Sequence, residues 1–273
     1  MPTVFVVSAS KSLISGSITA LLAEPDKEFA HSAMEADLKL LEGLLELSPE
    51  DKELLTLAAQ GYTGYALIYL EECEPERAIE FYTRARNFGL RALSLRDERF
   101  ADPDISYKLF DSAVHNLHKA DVGAAYWTGM AWGSLVSLQL TSPTALPGFP
   151  KAKGLMEWVA RTDSSFYHYG AFWFLGTYYS SLPPMMGGSA EKALVYFEKA
   201  DKYCQGQFQL GRVLFAKGYA IQALDKERFE ILLNSVIDYA KSPPDDEIKE
   251  LRLLNRSSAR RAEKLLKQAD EIF

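Results

Sequence analysis

Apolar residues recur along most of this chain at steps of three and four, the period of a helix that buries one face. The series Phe29, Ala33, Ala36, Leu40, Leu44, Leu47 keeps that step until Ser48-Pro49 ends it. Asp51 is placed to cap a second segment, which runs through Leu54, Leu55, Ala58 and Tyr62 to Tyr69. After Pro75, whose missing N–H is harmless in a first turn, Ala78, Tyr82, Ala85, Gly89 and Ala92 carry the pattern on. Residues 122–140 are mostly apolar and hold Trp127 and Trp132, which predicts a buried central helix. Residues 141–150, with three prolines and a glycine, predict a loop. A helix over 151–161 follows, then an aromatic-rich one over 166–181.

The breaker cluster Leu182-Pro183-Pro184-Met185-Met186-Gly187-Gly188 ends that segment. Ser189 then reads as an N-cap for 190–203, because its hydroxyl can accept from a first-turn amide. The last stripe is Leu251, Leu254, Ser258, Ala262, Leu265, Ala269 and Ile272, with charges opposite. Strand-like apolar character is confined to residues 4–7. The pattern therefore predicts an all-α fold, an array of antiparallel helix pairs. Residues 1–27 form an N-terminal segment with the first helix, and 28–273 a single helical domain.

Three stretches share one frame. Ala66-x2-Tyr69 is followed by Ala78-x3-Tyr82-x2-Ala85, and Gly176-x2-Tyr179 by Ala193-x3-Phe197-x2-Ala200. A looser copy runs from Ala216-x2-Tyr219 to Phe229-x3-Leu233. Any antiparallel helix pair needs small and large residues to alternate. The frame repeated three times points further, to degenerate TPR-like units and a concave binding surface.

Composition narrows the function. The 273 residues are 48% hydrophobic and 25% charged with net charge −7, an ordinary folded chain without the basic face that nucleic acid or anionic lipid requires. No stretch approaches the ~20 apolar residues of a membrane span. Cys73 and Cys204 lack metal spacing and read as small hydrophobes on helix faces. The chain shows no GxGxxG after a strand, no Walker loop, no HExxH and no GxSxG, so the expectation is a binding protein, not an enzyme, without cofactor or metal. His115 and His118 lie three apart and could meet a metal, but Asn116 and Lys119 beside them make a solvated face the plainer reading. Arg77, Arg84 and Arg91 recur every seven residues. They form either a stripe for a carboxylate or acidic partner, or a solvent face paired with Glu76 or Glu80.

The aromatic residues say more. Tyr62, Tyr65, Tyr69, Tyr126, Trp127, Trp132, Phe172, Trp173, Tyr178 and Tyr179 cluster on three helices that also carry many glycines. Such residues fill cores, and they also line amphipathic cavities.

Taken in order, Leu47-Ser48-Pro49 with Leu54-Leu55, Gly61-Tyr62 and Tyr65-Ala66 opens a larger pattern. Tyr126-Trp127, Ala131-Trp132, Phe166-Tyr167-x2-Gly170 and Leu182-Pro183-Pro184 to Ser189 continue it, and Arg252-Leu253-Leu254-Asn255 through Arg261-Ala262-x2-Leu265-Leu266 to Phe273 closes it. This order resembles the TatT family, the T-components of tripartite ATP-independent periplasmic (TRAP) transporters, over about residues 10–273. The resemblance implies a periplasmic, helical, cryptic TPR-like lipoprotein that forms homotrimers and associates with the substrate-binding P-component. It also implies a pore that admits a small hydrophobic or organic-acid ligand. On that basis Tyr62, Tyr65, Tyr69, Tyr126, Trp127, Trp132, Phe172 and Trp173 are expected at the pore wall. Pro183, Pro184, Met185, Met186, Gly187 and Gly188 are expected at a pore mouth or partner surface. A lipoprotein needs a cysteine, and none precedes Cys73; Ser8-Ala9-Ser10 stands roughly where one belongs. The expectation is a trimmed or late-started chain, or an unlipidated member, with membrane attachment only through a lipid anchor absent here. The alternative function is a TPR-like protein-interaction scaffold without a ligand cavity.

Overall fold

The computed structural model describes residues 2–273, with side chains from residue 10 onward. The fold is all-α, and no strand occurs among the described residues. The apolar side chains at 4–7 and the expected lipid position at Ser8-Ala9 lie outside the described side chains. The chain forms two compact units, residues 1–21 with 28–163, and residues 22–27 with 164–273. None of its described helices is long and apolar enough to cross a membrane.

The first unit contains α1 (Pro2–Leu22), α2 (Lys27–Leu47), α3 (Lys52–Tyr65) and α4 (Pro75–Ser94). It continues with α5 (Tyr107–Val114), α6 (Val122–Ser137) and α7 (Gly148–Thr162). Asp51 caps α3 as its position predicts, accepting from the Glu53 and Leu54 amides at 3.1 and 3.2 Å. Lys11 of α1 reaches the same carboxylate at 2.5 Å. Helix α3 runs on into one π-helical turn, Ala66–Leu70. The predicted stripe of α4 is buried throughout, and Gly89 lies where any β-carbon would overlap the Thr128 hydroxyl of α6. That close approach seats α4 on α6, which is buried on nearly every side.

Of the stripe expected to bury α2 only Leu44 is buried, while Phe29, Leu40 and Leu47 are 66, 53 and 55% exposed. The core is met by Ala30, Met34, Leu38, Leu41, Leu44 and Leu45. Helix α2 carries two apolar stripes about one residue out of phase, and their period alone does not say which faces inward.

The second unit contains α8 (Phe166–Ser181), α9 (Ala190–Cys204), α10 (Gln209–Phe215), α11 (Lys226–Lys241), α12 (Arg252–Lys267) and α13 (Ala269–Ile272). A second π-helical turn, Ala216–Ala220, extends α10. It starts at the alanine of the third sequence copy, as the first π turn starts at the alanine of the first copy. In all three copies the two helices pack together. In the second copy a β-carbon on Gly176 would lie 2.8 Å from the Phe197 ring, so the aromatic of α9 fills the space glycine leaves on α8. Ser189 caps α9 through the Lys192 amide at 3.2 Å. Within α8, Tyr167, His168 and Tyr169 hold φ of 44, 56 and 60°. Left-handed backbone costs non-glycine residues roughly 1–2 kcal/mol each. The turn is held by His168 stacking on Phe208 and Tyr169 on Tyr203.

Candidate functional site

The aromatics expected at a pore wall fall into several clusters. On α3 and its π turn, Tyr65 lies 5.4 Å from Tyr69 and 5.1 Å from Phe81, while Tyr62 meets Phe81 and Phe88 at 5.3 and 5.7 Å. The Tyr62 and Tyr65 rings are buried, and their hydroxyls donate outward to carboxylates, Tyr62 to Glu42 and Tyr65 to Glu35 at 2.6 Å. Burial and the Glu42 carboxylate push the Tyr62 hydroxyl up to about 12. His31 stacks on Tyr65, with its Nε2 2.9 Å from the Tyr65 hydroxyl. On α6, Tyr126 and Trp127 meet edge to face at 4.9 Å. In the second unit, Phe172 lies 6.1 Å from Tyr196 beneath the Lys199 ammonium, and Trp173 packs against Phe197 and Phe208. The Trp173 indole N–H is buried without a hydrogen-bond partner.

The cluster Pro183 to Gly188 forms a hydrogen-bonded surface turn. Pro184–Met186 is one 3₁₀ turn, Gly187 follows at φ 96°, and the Gly188 amide returns to the Pro183 carbonyl at 3.1 Å. The turn holds Met185 in solvent, 92% exposed, with Met186 beside it.

Trp132 lines a cleft of about 370 Å³ in the first unit. Ile79, Leu135 and Val136 supply apolar wall; Thr83 and Gln139 supply polar wall. Two cations complete it. Lys151, only 4% exposed in the first turn of α7, donates to the Pro103 carbonyl at 2.5 Å. Its ammonium lies 5.4 Å from the Trp132 centroid and 5.9 Å from that of Phe110. Arg86 of α4 places its guanidinium 5.5 Å from the same Trp132 ring and donates to Asn87 Oδ1 at 2.9 Å. Burial lowers the pKa of both cations, against the opposing pull of Asp104, an exposed carboxylate that also lines the cleft, and, at Lys151, of Asp102 as well. Gly148 lets the start of α7 approach so closely that any β-carbon there would overlap the Trp132 indole.

Arg86, Lys151 and Asp104 were not among the expected site residues. Arg86 sits off the Arg77, Arg84 and Arg91 stripe, which the structure spends on its own surface. Arg77 pairs with Glu74 at 3.3 Å, Arg84 covers the Phe81 ring, and Arg91 donates to the Pro49 carbonyl at 2.8 Å. His115 is exposed, its Nδ1 2.8 Å from the Asp111 carbonyl, and the His118 amide donates to Asp121 at 2.7 Å. No group of three potential metal ligands occurs among the described residues. Both cysteines are free, Cys204 buried and Cys73 exposed.

Compared with known proteins, the chain is matched over residues 23–273 by a family model described as TRAP transporter T-component. No curated protein matches it.

Proposed function

The chain belongs to the TRAP transporter T-component family, and from that premise we propose that it is a periplasmic accessory subunit which binds a small amphipathic solute and associates with the substrate-binding P-component. The family is a transport-accessory one. The observation that supports solute binding is the cleft at Trp132, whose volume of about 370 Å³ falls in the range of small-molecule sites. Its lining is more polar than that of most small-molecule sites, with Thr83, Gln139, Arg86, Asp104 and Lys151 facing the apolar wall of Ile79, Leu135 and Val136, which suits an amphipathic solute. On this reading Trp132 is the pore-wall aromatic that meets the solute. The Met185-Met186 turn, rigidly closed and apolar at its tip, is the element we assign to contact with the P-component.

Native mass spectrometry of the purified full chain, before and after organic extraction, tests the reading. A trimer carrying an extractable small-molecule adduct supports it. A bare monomer that also fails to bind a co-expressed P-component would overturn it in favour of a scaffold without a ligand cavity.

A further inference from the structure

A serine or threonine inside a helix can return its hydroxyl to the carbonyl one turn back. Thr56, Thr63, Thr128 and Ser258 all do so, at 2.8, 2.7, 2.6 and 2.7 Å. Ser257 of α12 does not. It is 7% exposed, and among the described residues its hydroxyl has no hydrogen-bond partner. It lines a recess of about 190 Å³ with Pro25, Lys27, Ala240, Arg256 and Arg260, all in the second unit. Arg256 and Arg260 lie one turn apart on α12, a spacing at which like charges repel. Among the described residues neither has an ion-pair or hydrogen-bond partner, whereas Arg252, one turn before them, meets Glu247 at 3.1 Å. Other carboxylates on the elements that build the recess are engaged as well. Glu24 accepts from the Asp26 amide at 2.8 Å, and Asp238 meets Lys241 at 3.6 Å. Asp26 and Glu28, on either side of Lys27, are exposed and do not line the recess. The lining thus brings together three cations and one buried hydroxyl, with no carboxylate.

We propose that this recess binds a phosphate monoester group, its oxygens held by the Arg256 and Arg260 guanidiniums and the Ser257 hydroxyl, with Lys27 adding a third positive charge. Size favours a compact group: about 190 Å³ is below the roughly 300 Å³ at which sites begin to take a whole small molecule. Charge favours the monoester, which carries about −1.5 to −2 near neutral pH on three acceptor oxygens and so offsets both unpartnered guanidiniums. A carboxylate or a phosphodiester brings a single negative charge. The planar guanidinium fork matches phosphate oxygens in pairs, and the serine supplies the donor that α12 leaves unused. No residue of the Trp132 cleft takes part, so the assignment stands apart from the solute reading above. A soluble ester and a lipid headgroup would make the same contacts, and the experiment separates them.

Two assays on the full chain test this in phosphate-free buffer. Calorimetric titration compares glycerol 3-phosphate with dimethyl phosphate and acetate. Co-sedimentation compares phosphatidylcholine vesicles carrying phosphatidate with vesicles carrying the same fraction of phosphatidylglycerol. Glycerol 3-phosphate is expected to bind roughly tenfold or more tighter than the diester and the carboxylate, and Arg256→Gln and Arg260→Gln should each lose a similar factor. Ser257→Ala should weaken binding less. Both arginines are exposed, so their variants should keep the fold, which thermal melts verify. Preference for glycerol 3-phosphate that is lost in the arginine variants supports the site and assigns it to a soluble ester. Preference for phosphatidate vesicles alone, lost in the same variants, supports it and assigns it to a lipid headgroup. Binding in neither assay, no preference for the monoester in either, or unchanged binding in both arginine variants overturns the proposal and leaves the solute reading of the Trp132 cleft untouched.

Discussion

Two places in the first unit gather a lysine and an arginine around one point, and they treat charge in opposite ways. At Asp121, between α5 and α6, the carboxylate is fully buried and completely spent. It accepts from Lys52, from Arg96 at 3.3 Å and from the His118 amide at 2.7 Å. Burial alone would raise its pKa, but the Lys52 and His118 hydrogen bonds and the two positive charges outweigh that and hold the carboxyl below its ordinary value. At Trp132 the lysine is the buried member and no carboxylate meets it. The first arrangement brings both cations onto one buried carboxylate and fixes the link ahead of α6. The second brings no carboxylate into ion-pair contact with either cation, at the edge of a cleft large enough for a small molecule. A polar cluster closed upon itself belongs to the fold; one left open, at a cost in stability, is where a ligand belongs.

The largest effect expected from breaking this contrast is at the closed cluster. Asp121→Asn keeps the shape but removes the charge, stranding Lys52 and Arg96. Both are partly exposed and regain some solvent, so the loss should fall at the low end for a broken buried pair, about 3 kcal/mol in urea denaturation. Because the folded-state pKa of Asp121 is lowered, its contribution is present above the ordinary carboxylate range and is lost as pH falls through the lowered value. The variant should show a flatter acid limb than the wild type. An equally steep limb would mean that Asp121 is not the carboxylate whose protonation loosens the unit.

Next in size is the floor of the open site. Gly148→Ala drives a β-carbon into the Trp132 indole, and such overpacking costs about 2 kcal/mol. The change should also shift tryptophan emission and weaken the binding of the extractable solute, since it moves the wall of the cleft. Retention of wild-type emission and affinity would show that Trp132 has room to retreat, and that Gly148 does not set the shape of the cleft.

How much of this was legible in the sequence differs between fold and site. The buried stripe of α4, the all-round burial of α6 and the caps at Asp51 and Ser189 follow from period and capping chemistry, and each is present. Helix α2 defeated the same reasoning because its two apolar stripes are equally periodic, and only the packing partners decide between them. At the cleft, Trp132 was among the aromatics singled out in the sequence and the cations beside it were not. Lys151 was expected to open a helix over 151–161, a placement that marks no residue as buried. Helix α7, however, starts at Gly148, which puts Lys151 in its first turn against Phe110 and Trp132. Arg86 was hidden for a related reason: the evenly spaced arginines on α4 form the conspicuous pattern, and the useful one lies off it. Pairing across helices leaves no trace in a local period.

Lys151→Met should separate function from stability. An apolar side chain of similar length removes a buried charge that has no carboxylate in ion-pair contact, so the unfolding free energy at neutral pH should rise by about 1 kcal/mol even as solute binding weakens. The pH dependence gives the sign. Burial lowers the folded-state pKa of Lys151 below its ordinary 10.5, so over the interval between the two values the unfolded chain holds a proton that the folded chain has released. Wild-type stability should therefore gain on the variant as pH rises through that interval, and the difference between them should shrink. A variant less stable than wild type at neutral pH would mean that Lys151 serves the fold, as Lys52 does.

The smallest expected effects give the sharpest form of the comparison, because the two arginines can be changed alike. Arg96→Gln should cost only about 0.5–1 kcal/mol, since Arg96 is well exposed and Asp121 keeps Lys52 and the His118 amide. It should leave ligand titrations unchanged. Arg86→Gln should do the reverse, leaving stability within about 0.5 kcal/mol because no ion pair is broken, and reducing affinity for the solute of the cleft. Paired denaturation and titration curves for the two variants decide whether the clusters are as different as their geometry. If both variants lose stability alike and neither loses affinity, the open cluster is a second structural one.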